Sequence, residues 1–400
     1  MRIAIYLGDL SPPSGGAFTF QDDVFRVLME GDGARRHSLV IYSNLSREQT
    51  ARYDRADLLW ERTRGELPHR LRRWMSACSE FLPFIASSVH YRGSFERSLR
   101  RHRVELVWFL TPTFHTIEVP YVYTIWDLQH RVQPWFPEVA SYGRWHCRER
   151  SFARAVSRAA AVIVPNAAGR EELERFYHVL PDRIHTFPLP TPFFSLEEPA
   201  DRSEVLRKYG LSAGYLFYPA QFWPHKNHVN LLAALKLLKE EFGLVLPLVL
   251  AGADKGNRKY VRSLVSQWEM ADQVHFLGFV PREDLVGLYR NALALTYPTF
   301  FGPENLPPLE AFGLGCPVIA SRVRGADEQL GDAALLVDPT DVEGLAGAVW
   351  SLYQDQGLRK QLICRGRQRA ARWTAEHFVQ KVLAFIDGFG RVRRCWPTVV

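Results

Sequence analysis

One local pattern recurs along this chain: a short apolar run, a loop, then an amphipathic helix. It begins with RIAIYLG, the loop DLSPPSGGAF, and a helical stretch that sets Val24, Phe25, Val27 and Leu28 on one face. A run that is apolar on both faces suits a strand covered by helices on both sides, not an edge strand. The same order returns in HSLVIYS, VELVWFL, VPYVYTIWD, AAAVIVPN and RIHTFPL. Alternating strands and helices predict an α/β fold built on a parallel, doubly wound sheet. The pattern halts near residue 190 at PLPTPFFSLEEPADRS, a proline-rich polar stretch that reads as a linker. A second series follows in GYLFYPA, LPLVLAG, QVHFLGF, ALALTYP, PVIASRV and AALLVDP. Two Rossmann-like domains are therefore expected, over 1–195 and 196–374, which suits a chain of 400 residues. Thr340 and Glu343 predict a capping box, and a last helix over 375–393 carries Phe378, Val379, Val382, Leu383 and Ile386 at helical spacing. Ligands of such paired domains bind at the carboxyl ends of the strands, so function is expected in the loops that follow them.

Composition removes several classes. Cys78, Cys147, Cys316, Cys364 and Cys395 are odd in number, scattered and never in a CxxC pair, so neither a disulfide framework nor a zinc cluster is expected. A reducing cytoplasm fits. MRIAIYLGDLSPP reaches acid and proline too soon for a secretory signal, and no apolar run approaches the ~18 residues of a membrane span. The net charge of +7 and pI near 9.2 favour an anionic partner. Much of that charge lies between Arg62 and Arg103, where Arg70, Arg72, Arg73, Arg100 and Arg101 interleave with Trp74 and other apolar residues. Such a segment is either a helical pair with a solvated basic face or a surface for an anionic membrane or acceptor. No nucleic-acid motif accompanies it.

Four loops carry candidate chemistry. Gly15 and Gly16 follow the first strand, where backbone N–H groups can approach a phosphate or simply make a tight turn. There is no GxGxxG and no GxxxxGK[ST], which argues against a dinucleotide dehydrogenase and a P-loop NTPase. In TIWDLQHRVQPWFP, Asp127 and His130 end a strand as either a helix cap or an acid/base pair, with Arg131 as a cation for an anionic acceptor. Lys226, in QFWPHKN, is expected at a helix N-terminus, where an unpaired cation opposes the helix dipole unless an anion is bound. His225 and His228 flank it, but a lysine between them disfavours a metal site. In GPENLPPLEAFGLGCP, Pro307 and Pro308 predict a helix start with Glu310 in the first turn. Glu310 and Glu304 can cap that helix or accept hydrogen bonds from sugar hydroxyls.

These motifs together, PAQFWPHKN, AGAD, FLGFVPREDLVGLYRNA, LPPLEAFGLGCPVIAS and DAALLVDPTD, resemble the retaining nucleotide-sugar glycosyltransferases of family four. The likeness covers the C-terminal half strongly and the remainder through the glycine loop and WDLQH. It implies a GT-B fold, in which two Rossmann-like domains face a cleft and the last helix crosses back to the first domain. Within the family, O-antigen and polysaccharide mannosyltransferases are the nearest in kind. By position, Lys226 resembles the lysine on the donor diphosphate and Glu310 the glutamate on the ribose. Phe279 and Val280 resemble the strip facing the nucleobase. Asn305, Leu306 and Pro307 resemble the turn near the donor sugar and phosphates, and Gly15 and Gly16 the loop over the phosphates.

Three positions depart from that pattern. Gly302 stands where the family has a first glutamate on the donor hexose, leaving Glu304 as a displaced candidate. Gln221 replaces a phosphate-binding arginine, and Trp126 replaces a histidine. The activity implied is transfer of a hexose, with mannose one candidate, from a nucleotide-diphosphate sugar to a lipid-linked or cell-surface glycan. The acceptor class includes polyprenyl-diphosphate carriers, and the enzyme would act in the cytoplasm or at the inner face of the cytoplasmic membrane. No metal or other cofactor is expected, and the departing diphosphate would assist deprotonation of the acceptor. Asp127, His130, Lys226 and Glu304 are the candidate catalytic residues. A noncatalytic sugar-nucleotide-binding scaffold and a GT-B sugar-nucleotide epimerase are the alternatives.

Overall fold

The computed structural model describes residues 1–8, 10, 14–31, 36–43, 59–62, 94–115, 117–196 and 203–397. Arg70, Arg72, Arg73 and Trp74 lie outside the described residues.

Seven strands form the first sheet: β1 (Arg2–Tyr6), β2 (Ser38–Ser43), β3 (Leu59–Arg62), β4 (Leu106–Phe109), β5 (Tyr121–Thr124), β6 (Ala161–Val164) and β7 (Ile184–Thr186). Their order is β3-β2-β1-β4-β5-β6-β7 and every pairing is parallel. All residues of β4, β5 and β6 are buried, as strands covered on both faces must be. The edge strand β3 is the one that the apolar pattern misses, because LWER is half charged. The second sheet has β8 (Tyr215–Pro219), β9 (Leu248–Ala251), β10 (Val274–Gly278), β11 (Ala292–Tyr297), β12 (Val318–Ser321) and β13 (Ala334–Val337). It runs β10-β9-β8-β11-β12-β13, again wholly parallel. In each sheet the strand order reverses once, between β1 and β4 and between β8 and β11. Neighbouring helices there leave to opposite faces, and the loops open into a crevice.

The chain passes from the first unit to the second near residues 187–196 and returns beside that crossing. Thr191 N–H donates to the Trp373 carbonyl at 3.0 Å, and the Trp373 indole N–H to the Pro188 carbonyl at 2.7 Å. The return leads into helix Ala375–Arg393, whose Phe378 meets Phe20 edge to face at 5.3 Å and stacks near Trp108 at 6.4 Å. Helix Gly16–Glu30 and β4 belong to the first unit, so the last helix crosses back as expected.

Two local expectations need correction. The cap of helix Val342–Gln354 is Asp341, whose carboxylate accepts the Gly344 N–H at 2.7 Å, while Thr340 hydrogen-bonds Asp338. With Asp341 as the cap, the third helical position falls on Gly344 and not on Glu343, so no Thr340–Glu343 box forms. Helix Leu306–Leu314 begins after Asn305, earlier than the prolines suggest, so Glu310 is its fifth residue and lies in the second turn.

Candidate active site

Both crevices face the same cleft. On the first unit, Gly15 has φ +70° and precedes helix Gly16–Glu30. A β-carbon on Gly16 would stand 3.2 Å from Leu306 Cδ1, and one on Gly15 would stand 3.9 Å from Gln221 Nε2. The glycine turn thus lies against the start of helix Leu306–Leu314 and the loop after β8. Gln21 steadies the preceding loop, its side-chain oxygen accepting the Gly8 N–H at 2.7 Å.

On the second unit, the loop after β8 makes a tight turn at Pro224–Lys226 before helix His228–Phe242. Lys226 lies at the N-terminus of that helix, one residue before the Asn227 cap, which adopts the left-handed conformation at φ 56°. Its ammonium donates to the Tyr297 hydroxyl at 2.6 Å and sits 4.9 Å from that ring's centre. Tyr297 donates in turn to Asn305 Oδ1 at 3.1 Å, and Asn305 exchanges two backbone hydrogen bonds with the Gln329 amide. Among the described residues, no carboxylate lies within ion-pair distance of Lys226. Burial pushes its pKa down to about 8, with Asp127 and Glu138 pulling the other way. A half-buried ammonium whose partner is a hydroxyl and not a counter-charge can take an anion.

Glu310 is buried and accepts the Tyr289 hydroxyl at 2.7 Å. Burial raises its pKa to about 7 against that hydrogen bond. Phe279 is half exposed just past β10, with Val280 tucked against the core. Glu304 points elsewhere: its Oε2 accepts the Leu189 N–H at 2.5 Å, on the segment that joins the units. The Glu304 side chain is buried there, and burial holds its carboxyl well above the usual range. The adjoining Pro303 carbonyl accepts from Asn166 of the first unit at 2.8 Å. Gly302 has φ +116°, and a β-carbon there would meet the Asn305 amide at 2.6 Å.

The structure separates Asp127 from His130. Asp127 is partly exposed and accepts from Arg148 at 2.6 Å and from the Gln129 N–H at 2.9 Å. Burial raises its pKa, but those partners outweigh it and leave the carboxyl below its usual range. His130 is fully buried inside the first unit, between Glu149 Oε2 at 3.0 Å and the Tyr177 hydroxyl at 3.2 Å. Burial first and the Arg148 charge second push it down to about 4, so the ring is neutral at physiological pH. Arg131 binds Glu149 through its Nε at 2.7 Å and lies over Trp145, so its charge is already engaged. Arg100 is likewise paired, with Glu96 at 3.2 Å and with Glu118, whereas Arg101 is exposed.

Two carboxylates at the cleft had no sequence signal. Glu138, on helix Pro137–Ala140, reaches His225 of the second unit. Glu172 is buried on helix Ala167–Tyr177, with Arg324 of the second unit 3.7 Å away. Both partners lie far off in sequence, so no motif spacing could have found them.

Two doubly wound units that face one cleft, with the last helix returning to the first, define the GT-B class of α/β proteins. Residues 206–369, most of the second unit, match the family model of glycosyl transferases group 1. O-antigen chain mannosyltransferase B of Escherichia coli is 32% identical over 243 residues, covering 60% of this chain and 64% of that protein. D-inositol 3-phosphate glycosyltransferase of Acidothermus cellulolyticus is 28% identical over 242 residues, covering 58% and 54%. The matched stretch thus spans less than two thirds of either relative. Similar solved folds include sucrose-phosphate synthase of Thermosynechococcus elongatus, with TM-score 0.72 and 19% identity over 98% of this chain and all of that one. WaaG, a glycosyltransferase involved in lipopolysaccharide biosynthesis, has TM-score 0.70 and 18% identity over 96% of this chain and all of that one.

Proposed function

We propose that this protein is a retaining glycosyltransferase that moves a hexose, with mannose the favoured sugar, from a nucleotide-diphosphate sugar to a lipid-linked or cell-surface glycan. The observation that carries this reading is Lys226, a cation short of a counter-charge on the loop after β8, the same loop whose Gln221 lies beside the glycine turn of the first unit. O-antigen chain mannosyltransferases among the relatives, in Escherichia coli and Salmonella typhimurium, support the choice of sugar and of a glycan acceptor.

In this reading the bond from the anomeric carbon to the diphosphate oxygen breaks, and the acceptor oxygen bonds that carbon on the same face. The departing diphosphate takes the acceptor proton. The protein's work is positioning and stabilising the charge that develops on the leaving group. Lys226 and the Leu306 N–H would take that charge, Pro307 and Pro308 having no N–H to offer, while Glu310 would hold the ribose and Phe279 and Val280 would face the base. Asp127 stands at the first unit's side of the cleft, where it would orient a hydroxyl. His130 would act only through Glu149 and Tyr177, and Glu304 through the segment joining the units.

The direct test incubates the protein with a panel of nucleotide sugars and membrane lipids, with and without EDTA. Release of nucleoside diphosphate together with a glycosylated lipid or glycan, unchanged by EDTA, is expected. Binding without transfer would favour a scaffold, and an epimerised sugar nucleotide an epimerase. No helix among the described residues is long and apolar enough to cross a membrane, and surface association is part of the proposal. Changing Arg72, Arg73, Arg100 and Arg101 to glutamine should reduce co-sedimentation with anionic vesicles at low salt. Undiminished binding would remove the membrane contact.

The lowered Lys226 pKa sets a pH dependence. A bound diphosphate needs the charged ammonium, so affinity should fall about tenfold per pH unit above about 8. In Lys226→Arg the cation persists to far higher pH, and affinity should stay nearly flat over that range. Calorimetric titration at pH 7 to 10 would decide, and a parallel fall in both proteins would place the titrating group elsewhere.

A further inference from the structure

Helix Pro137–Ala140 carries a carboxylate across the cleft. Glu138 has a side chain only 6% exposed, and its Oε1 accepts the His225 backbone N–H at 3.0 Å while also facing the ring Nδ1 of the same residue. Burial pushes the Glu138 carboxyl up, but the hydrogen bonds from His225 prevail and hold it ionised, below its usual range. The other side of His225 is held by its own unit. Its carbonyl accepts from Phe300 N–H at 2.8 Å and from the Thr299 hydroxyl at 3.2 Å, and its ring lies flat on Phe301 with centres 3.8 Å apart. Phe136 of the first unit meets the edge of the Phe301 ring at 5.3 Å.

Lys226 is the next residue after His225. Asn227 then turns the chain through φ 56°. The Lys226 peptide is held within its own unit, its N–H donating to the Trp223 carbonyl at 3.0 Å and its carbonyl accepting the Tyr218 hydroxyl at 2.6 Å, while the preceding His225 N–H is held from the opposite unit by Glu138. Glu138 Oε2 is buried with no hydrogen-bond partner.

We infer that Glu138 is a positioning residue: when the units close, it locks the His225 peptide and so sets Lys226 where the charge of the departing diphosphate develops. The inference rests on the transferase reading. Lys226, Asn305 and Glu310 all belong to the second unit, so nucleotide can bind without Glu138, and the lock matters only once the cleft has closed. Its loss should therefore appear in kcat and not in donor affinity.

The test uses the full chain with Glu138→Ala and Glu138→Gln. With a nucleoside diphosphate bound and no acceptor, amide hydrogen exchange in residues 222–228 should be about tenfold faster in Glu138→Ala than in the wild type. With donor and acceptor, kcat should fall roughly 10- to 100-fold while KM for the donor and affinity for UDP, GDP or ADP stay within about threefold. Glu138→Gln keeps an oxygen for the His225 N–H and should recover kcat to within about fivefold of wild type. Unchanged exchange, or unchanged kcat in Glu138→Ala, would overturn the inference. So would equal losses of kcat, affinity and melting temperature in both variants, which would mark Glu138 as an interdomain strut. The exchange measurement needs no turnover, whereas the wild-type chain alone decides the transferase reading, so the two failures are distinguishable.

Discussion

Lys226→Ala should weaken nucleoside diphosphate binding by roughly 10- to 100-fold, as expected for losing a charge-assisted hydrogen bond of about 1.5–3 kcal/mol. The same change should leave the melting temperature of the free protein unchanged or slightly raised. The sign follows from linkage. The folded-state pKa of about 8 lies below the ordinary 10.5, so between those values the unfolded chain binds more protons and stability rises with pH. At neutral pH the charged ammonium is therefore a cost to the free fold, and alanine removes it. Tyr297 keeps its hydrogen bond to Asn305 in the variant, so the turn that Lys226 contacts remains supported. Calorimetric titration with nucleoside diphosphate and a thermal melt check both halves. Full affinity in the variant, or lost affinity together with a large fall in melting temperature, would end the assignment of Lys226 to the phosphates.

Restoring a glutamate at position 302 should damage the protein instead of improving it. With φ at +116°, residue 302 lies in a region that side chains adopt only at a cost of about 1–3 kcal/mol. A β-carbon there would also drive into the Asn305 side chain, 2.6 Å away. For a domain of this size the melting temperature should fall by roughly 2–12 °C. Asn305 supports the Tyr297 hydroxyl that receives Lys226, so displacing it should also weaken diphosphate binding. Gly302→Glu with wild-type stability and faster turnover would show that the loop tolerates the family's usual residue. Glu304 does not fill the gap at the cleft in this closed arrangement, because its carboxylate is committed to Leu189. Among the described residues, Glu138, whose partner His225 lies on Phe301, and Glu172, which faces Arg324, are first-unit carboxylates with an oxygen that has no hydrogen-bond partner.

Much of the site was legible locally. The glycine turn, the Lys226 loop and the Glu310 helix each stand directly after a strand, and their residue types announce phosphate and hydroxyl chemistry wherever they are placed. Fine positions were less secure. Lys226 reads as the residue before a helix, and it is, but the sequence does not show that Pro224 begins a separate tight turn and that Asn227 takes a left-handed conformation before the helix forms. Arg131 reads as a free cation in sequence, yet Glu149, 18 residues later on helix Arg144–Arg158, claims it. His130 reads as a cleft imidazole, but the turn after β5 directs it inward, where Phe152 and Tyr177 enclose it.

Strand period, loop composition and helix spacing are short-range properties, and they were enough to establish two parallel α/β units and to single out candidate loops at the strand ends. Which charges remain unpaired is a long-range property. It depends on which side chains meet when helices fold back on the sheets and the two units close. Lys226 is left with a tyrosine, Arg131 with a carboxylate, and Glu138 reaches across 87 residues of sequence to His225. Burial raises the energetic stakes of each pairing, and burial exists only after the chain has folded.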